Sequence, residues 1–405
     1  PMPKAKRTIL YGGAVIGPEE IEAVTDVMRT SMIVGDKVAR FEKRCAALLG
    51  KKHGVMVNSG SSALMVAMRL LDLPKGSEVI TSALTFSTDV ASIVHAGYVP
   101  AFVDCEIDTF QIDISRIERM IGPRSKALLV PDLIGGMPDW DRLRALADRH
   151  GLMLIEDSCD TLGGRFRGRP AGERSDLSVT SFSLYHIITA LGNGGLVAFD
   201  DERLWDRALQ LRAWGRSSED YLYGSKQAAN DGRFVEHVDG VPYDGMFIFN
   251  EIAYGFCASE AGAAFGLAQL DKLDSFTRTR TRLFDRHTEF LRLHDDVFIT
   301  PRVLEGVETT WICYPVILRP ELGWSRTELQ AHLEDNGIAT RMIFSGNITR
   351  QPMMREIEFR ADADGYPAAD TIMEHGVMLP CHPTMTDDDC DYLYETLEEF
   401  IAARR

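Results

Sequence analysis

The sequence predicts an α/β fold: a large domain on a mixed, mostly parallel sheet, followed by a small α+β C-terminal domain. Three observations carry this. Short β-branched runs alternate with amphipathic stretches through the first half of the chain, the pattern of crossover units. The length, 405 residues, allows two or three domains. A long, charged, helical pattern from Ser259 to about Leu293 reads as a bridge between a larger and a smaller unit. The expected division is 1–270 and 271–405.

Taken in order, Gly54–Asn58 reads as a strand and Ser61–Leu71 as the helix behind it. Glu78–Thr81 is a strand, Ser87–His95 a helix and Val99–Val103 a strand. Ala127–Pro131 is apolar and strand-like, Asp139–His150 helical, and Leu152–Glu156 again a strand. In the second unit Trp311–Leu318 reads as a strand, and Arg326–Asn336 as a helix stopped by Gly337. Asp387–Ala403 reads as a terminal amphipathic helix. Parallel sheets bind ligands beyond the C-terminal ends of their strands, so the loops there are the places to look for chemistry.

Composition bounds the function. Hydrophobic residues make up 45% and charged residues 26%, as in an ordinary globular protein. Acidic residues outnumber basic ones 60 to 44, a net charge of −16. That argues against general nucleic-acid binding or docking to an anionic membrane, both of which want a basic face. The stretch Pro1–Gly13 lacks the apolar core of a signal peptide, and no apolar run approaches the length of a membrane span. The seven cysteines are scattered, with no Cys-x-x-Cys pair and no metal-ligand spacing. They read as reduced thiols of a cytoplasmic protein.

Three constellations fall at strand ends. Asn58-Ser59-Gly60-Ser61-Ser62 runs from a strand into a helix, where free N–H groups and the helix dipole suit a phosphate. Taken alone, a plain helix N-cap explains it better. Glu156-Asp157-Ser158-Cys159-Asp160 ends an apolar strand, so a carboxylate there could grip a cationic heterocycle or merely cap a turn. Ser181-Phe182-Ser183-Leu184-Tyr185-His186 precedes the glycine-rich turn Leu191-Gly192-Asn193-Gly194-Gly195 and places a histidine between them.

In this order and spacing the three resemble the sugar aminotransferases of the DegT/DnrJ/EryC1/StrS family. The resemblance runs from Gly12-Gly13 through Thr85-Phe86 to Gly266-Leu267-Ala268-Gln269-Leu270 and beyond. It implies the fold type I (aspartate aminotransferase-like) architecture and a pyridoxal or pyridoxamine 5′-phosphate cofactor. It implies Gly60, Ser61 and Ser181 around the phosphate, Phe86 on the ring face, and Asp157 on the pyridine nitrogen with Asp160 nearby. At position 186 the aminotransferases carry the lysine that bonds the cofactor covalently. Imidazole cannot form that bond, so the cofactor is expected to be held non-covalently. Histidine there resembles the branch of nucleotide-sugar 3-dehydratases, as do Cys159-Asp160 and Phe344-Ser345-Gly346-Asn347-Ile348-Thr349-Arg350. The branch implies loss of the C3 hydroxyl from a 4-keto sugar, with His186 as base and an amine donor such as glutamate regenerating the cofactor. It also implies substrate contacts from Arg341, Asn347 and Arg350, and a homodimer or dimer of dimers.

The sequence departs from the family at three places. Trp214-Gly215-Arg216 is followed by Ser217-Ser218-Glu219 rather than by cysteines, so no iron–sulfur cluster is expected. Ala253-Tyr254-Gly255 stands where Gly-Tyr-Asn is usual, and Gly135-Gly136-Met137-Pro138 where Gly-Asn-Pro is commoner. Two other readings stay open: a lysine-less sugar aminotransferase, and an inactive binding protein on the same fold.

Overall fold

The computed structural model describes residues 7–226 and 236–405, so the start of the Pro1–Gly13 stretch lies outside the described residues. Seven strands form the main sheet: β1 His53–Val57, β2 Glu78–Ser82, β3 Val99–Val103, β4 Ser125–Pro131, β5 Met153–Asp157, β6 Leu177–Ser181 and β7 Gly195–Phe199. Their order is β1-β7-β6-β5-β4-β2-β3. Only β7 is reversed, pairing antiparallel with both β1 and β6; the other pairings are parallel. β2, β3, β6 and β7 are buried throughout, as a sheet covered on both faces demands. With six strands pointing one way, the segments after β1, β2, β4, β5 and β6 all emerge at one edge.

The crossover helices follow local signals. Gly60–Leu70 is capped by Ser59, whose Oγ accepts the Ser62 N–H. Trp140–His150 is capped by Asp139 and stopped by Gly151 at φ 63°. The expected single helix over 259–293 is two helices, Glu260–Asp271 and Leu273–Arg292. The junction residue, Lys272, is drawn aside by Glu20 (2.8 Å) and Glu19 (3.1 Å) of the N-terminal helix Pro18–Thr30. The first helix is buried almost all round, and Gly266 admits the Phe41 ring. The second buries one stripe: Leu273, Phe276, Arg280, Leu283, Phe284, His287 and Leu291.

The smaller C-terminal domain carries a four-stranded antiparallel sheet, Phe298–Ile299, Tyr314–Leu318, Gly376–Leu379 and Arg341–Met342 in that order. The strand expected at 311–318 begins only at Tyr314. Helices Arg326–Asp335 and Asp387–Ala402 cover it, packing Leu329, Leu333, Leu393, Leu397 and Phe400 into one core. The N-terminal segment joins this domain: Ile9 bridges to Ile338, and Arg7 pairs with Asp388 and Asp389. All seven cysteines are free thiols. Among the described residues no helix is long and apolar enough to cross a membrane, and no acidic, histidine or cysteine cluster could hold a metal ion.

Candidate active site

A cavity of about 660 Å³ opens at the C-terminal edge of the main sheet, walled on the far side by the small domain. Its floor is the start of helix Gly60–Leu70. Ser59 O accepts the Ala63 N–H (3.0 Å) and Ser59 Oγ the Ser62 N–H (3.1 Å). Among the described residues the N–H groups of Gly60 and Ser61 have no acceptor, which is the condition of an anion seat. Ser181, at the end of β6, faces them. A Cβ on Gly60 would lie 2.6 Å from Ser181 Cβ and 2.9 Å from its Oγ, so only glycine lets the two segments come this close.

Asp157 ends β5, buried, and its Oδ1 accepts the Cys159 N–H at 3.0 Å. Burial pushes its carboxyl up to about 6. Behind it lies Asp89, one turn into helix Ser87–His95 and fully buried. Asp89 Oδ2 accepts the Thr85 hydroxyl at 2.5 Å, and its carboxyl stands within hydrogen-bond reach of Asp157. Burial, then the neighbouring Asp157 charge, push Asp89 well above the usual carboxylate range. The proton of this pair therefore rests on Asp89 and the negative charge on Asp157. Asp160 accepts the Ile134 N–H at 2.9 Å and is raised by burial to about 7. Phe86 precedes the same helix, half-exposed, with its ring on the cavity and edge-on to Phe344 at 6.4 Å.

His186 lines the same cavity. Its Nδ1 lies 2.8 Å from Cys159 O. A carbonyl can only accept, so Nδ1 carries a hydrogen and the neutral ring presents its lone pair at Nε2. Burial lowers the imidazole's affinity for a second proton, against the Cys159 carbonyl, which raises it. No lysine lines the cavity among the described residues.

Of the expected substrate contacts, Arg341 stands in the cavity wall, its guanidinium 5.2 Å from the centre of the Tyr11 ring. Asn347 and Arg350 do not line the cavity. Asn347 donates to Asp370 (2.6 Å) and caps a short helical turn, and Arg350 pairs with the same Asp370. The structure thus brings Gly60, Ser61, Phe86, Asp157, Asp160, Ser181, His186 and Arg341 together. It adds Tyr11, Asp132 and Met342 to the wall, and Asp89 behind it. Asp132 follows a strand end, a signal that could have found it; Tyr11 and Met342 arrive from distant sequence and carried none.

Two departures from the family pattern leave a glycine closely covered by a neighbouring side chain. A Cβ at Gly255 would lie 2.9 Å from Trp214 Nε1, and one at Gly136 2.7 Å from Gln111 Nε2. The space an asparagine would need is taken by those side chains.

Comparison with known proteins agrees with this architecture. The chain is 31% identical over 404 residues to the spore coat polysaccharide biosynthesis protein SpsC of Bacillus subtilis, covering 98% of both. It is 31% identical over 406 residues to dTDP-4-dehydro-2,6-dideoxy-D-glucose 3-dehydratase of Saccharopolyspora spinosa, covering 96% of this chain and 86% of that one. The structure of E. coli GDP-4-keto-6-deoxy-D-mannose-3-dehydratase with bound hydrated PLP superposes with a TM-score of 0.86 at 25% identity, over 96% of this chain and 100% of that chain. The sequence pattern described as the DegT/DnrJ/EryC1/StrS aminotransferase family matches residues 14–398, and the chain belongs to that family, on the fold type I architecture.

Proposed function

We propose that the chain is a lyase that removes the C3 hydroxyl from a nucleotide- or nucleoside-linked 4-keto sugar, using non-covalently held pyridoxamine or pyridoxal 5′-phosphate. The observation that carries this is His186. It lines the cavity, tethered through Nδ1 and with no partner at Nε2 among the described residues, and the resemblance puts it where the aminotransferases carry lysine.

The residues present fit the cofactor. The Gly60 and Ser61 N–H groups with Ser181 form a cradle that a single Cβ would fill, and it suits the phosphate. Asp157, held anionic beside a protonated Asp89, would pair with the ring nitrogen. Phe86 would cover one ring face. When bound, the cofactor supplies an electron sink and an amine that takes up a ketone. The chain supplies orientation and proton traffic. His186 Nε2 accepts a proton and can return it to a departing hydroxyl, and a positioned base of this kind is worth about 10²–10⁴-fold in rate. Arg341 faces the cavity as a permanent cation for an anionic substrate group.

The test is to mix the protein, pyridoxamine 5′-phosphate and a panel of nucleotide 4-keto sugars, with glutamate as amine donor, and follow products by mass. A 3-deoxy product supports the lyase. An amino sugar with the C3 oxygen retained supports a lysine-less aminotransferase. Cofactor binding without turnover of any sugar supports the inactive protein. Borohydride treatment should leave the cofactor removable from the chain.

A further inference from the structure

Arg280 sits where an arginine is costly. It lies in the middle of helix Leu273–Arg292, 2% exposed. Its Nη1 donates to the main-chain oxygens of Trp311, Ile312 and Cys381, each at 3.0 Å. Its Nε has no hydrogen-bond partner, and no carboxylate forms an ion pair with it among the described residues. Buried charges are normally paired; this one is hydrogen-bonded to carbonyls, with Asp160 as the carboxylate its field reaches. One neighbour is His186, since both line one small cavity that adjoins the active site through His186. On the other side of the imidazole, the titratable and charged groups of the active-site wall are Asp157, Cys159, Asp160, Tyr11, Tyr185 and Arg341. Asp132 stands further along the same wall.

We propose that Arg280 is a positioning residue for the base: from the adjoining cavity its guanidinium opposes a second positive charge on His186 and so keeps the imidazole neutral and able to accept a proton. This rests on the reading of His186 as the base and deepens it. The imidazole's own balance is lowered: burial lowers it most, the Cys159 carbonyl raises it, and the Arg280 charge lowers it. The same charge favours the ionised form of Asp160. A purely structural role, strapping the 311–312 segment to Cys381, would leave the imidazole's titration untouched.

The experiment follows His186 by NMR in ¹⁵N-histidine apoprotein, its signal assigned by its loss in His186→Gln. In the unmodified protein it should titrate below 6.5, the ordinary value. Arg280→Gln keeps amide donors for the carbonyls but removes the charge, and should move the titration measurably up. Arg280→Lys, which keeps the charge, should stay near the unmodified protein. In protein loaded with pyridoxamine 5′-phosphate, the acid limb of cofactor C4′ hydrogen exchange with solvent should move with it. An unmoved imidazole in folded Arg280→Gln overturns the proposal. A His186 titrating at or above 6.5 in the unmodified apoprotein overturns it whatever the variants do. Failure of the lyase reading would appear separately, as no 3-deoxy product from a protein whose imidazole titrates as expected.

Discussion

Gly60→Ala is the sharpest perturbation of the phosphate cradle. The new Cβ would be built 2.6 Å from Ser181 Cβ. Carbon atoms rest at about 3.5–4.0 Å, so the shortfall is about 1 Å. Ser181 Cβ is fixed to its backbone and to β6, so the helix start must retreat. Overpacking of this kind costs about 1–3 kcal/mol. Retreat also draws the Gly60 and Ser61 N–H groups away from the anion, where a hydrogen bond to a charged group contributes about 1.5–3 kcal/mol. The lost phosphate hydrogen bond alone should weaken binding of pyridoxal 5′-phosphate by about 10–100-fold. Equilibrium dialysis measures this directly, with pyridoxal, which lacks the phosphate, as the internal control. Unchanged affinity for pyridoxal 5′-phosphate, or equal losses for both ligands, would refute the argument.

His186→Asn should keep cofactor affinity and lower C4′ hydrogen exchange by about 10²–10⁴-fold, read by mass or NMR. His186→Lys should instead make the cofactor fixable by borohydride, read as an added mass on the chain. For Asp160 the folded carboxyl, at about 7, lies above its ordinary 3.8. Its protonated form stabilises the fold fully below pH 3.8, and that contribution is lost as pH rises through about 7. Asp160→Asn should therefore gain stability relative to the unmodified apoprotein between pH 4 and 7, by up to a few kcal/mol, measured by urea unfolding across that range; a constant difference would count against the buried-acid account. Gly255→Asn should displace the Trp214 indole rather than restore the family pattern, seen as a change in fluorescence absent from a Trp214→Phe background.

What the sequence revealed depended on how local the cause was. Helix Ser87–His95 and strand Val99–Val103 lie where their apolar spacing places them, because burial of one face or a whole strand is written in neighbouring residues. The break at Lys272 was invisible, since no glycine or proline marks it and the cause is an ion pair with Glu20, some 250 residues away. The reversed strand β7 likewise depends on the turn through Gly192 and Gly194 rather than on its own apolar run. At the site, motifs at strand ends pointed to Gly60, Asp157, Ser181 and His186. Asp89 was missed because a helical aspartate reads as a solvated face, and only the packing shows it under Asp157. Arg280 was hidden for the same reason, in a helix whose charges look like a water-facing stripe.

Cys159 contributes to the site through its peptide group as well as through its thiol, which stands within hydrogen-bond reach of Asp157. Its N–H is bonded to Asp157 and its C=O to His186. The carboxylate that would steady one end of the cofactor and the imidazole that would work at the other are thus coupled through a single residue's main chain. An alanine scan, which alters only side chains, would test the thiol and leave both main-chain bonds in place. A substitution that removes the N–H, or turns the backbone there, would disturb anchor and base together. The main-chain link between anchor and base survives a change of side chain at this position, provided the chain follows the same path.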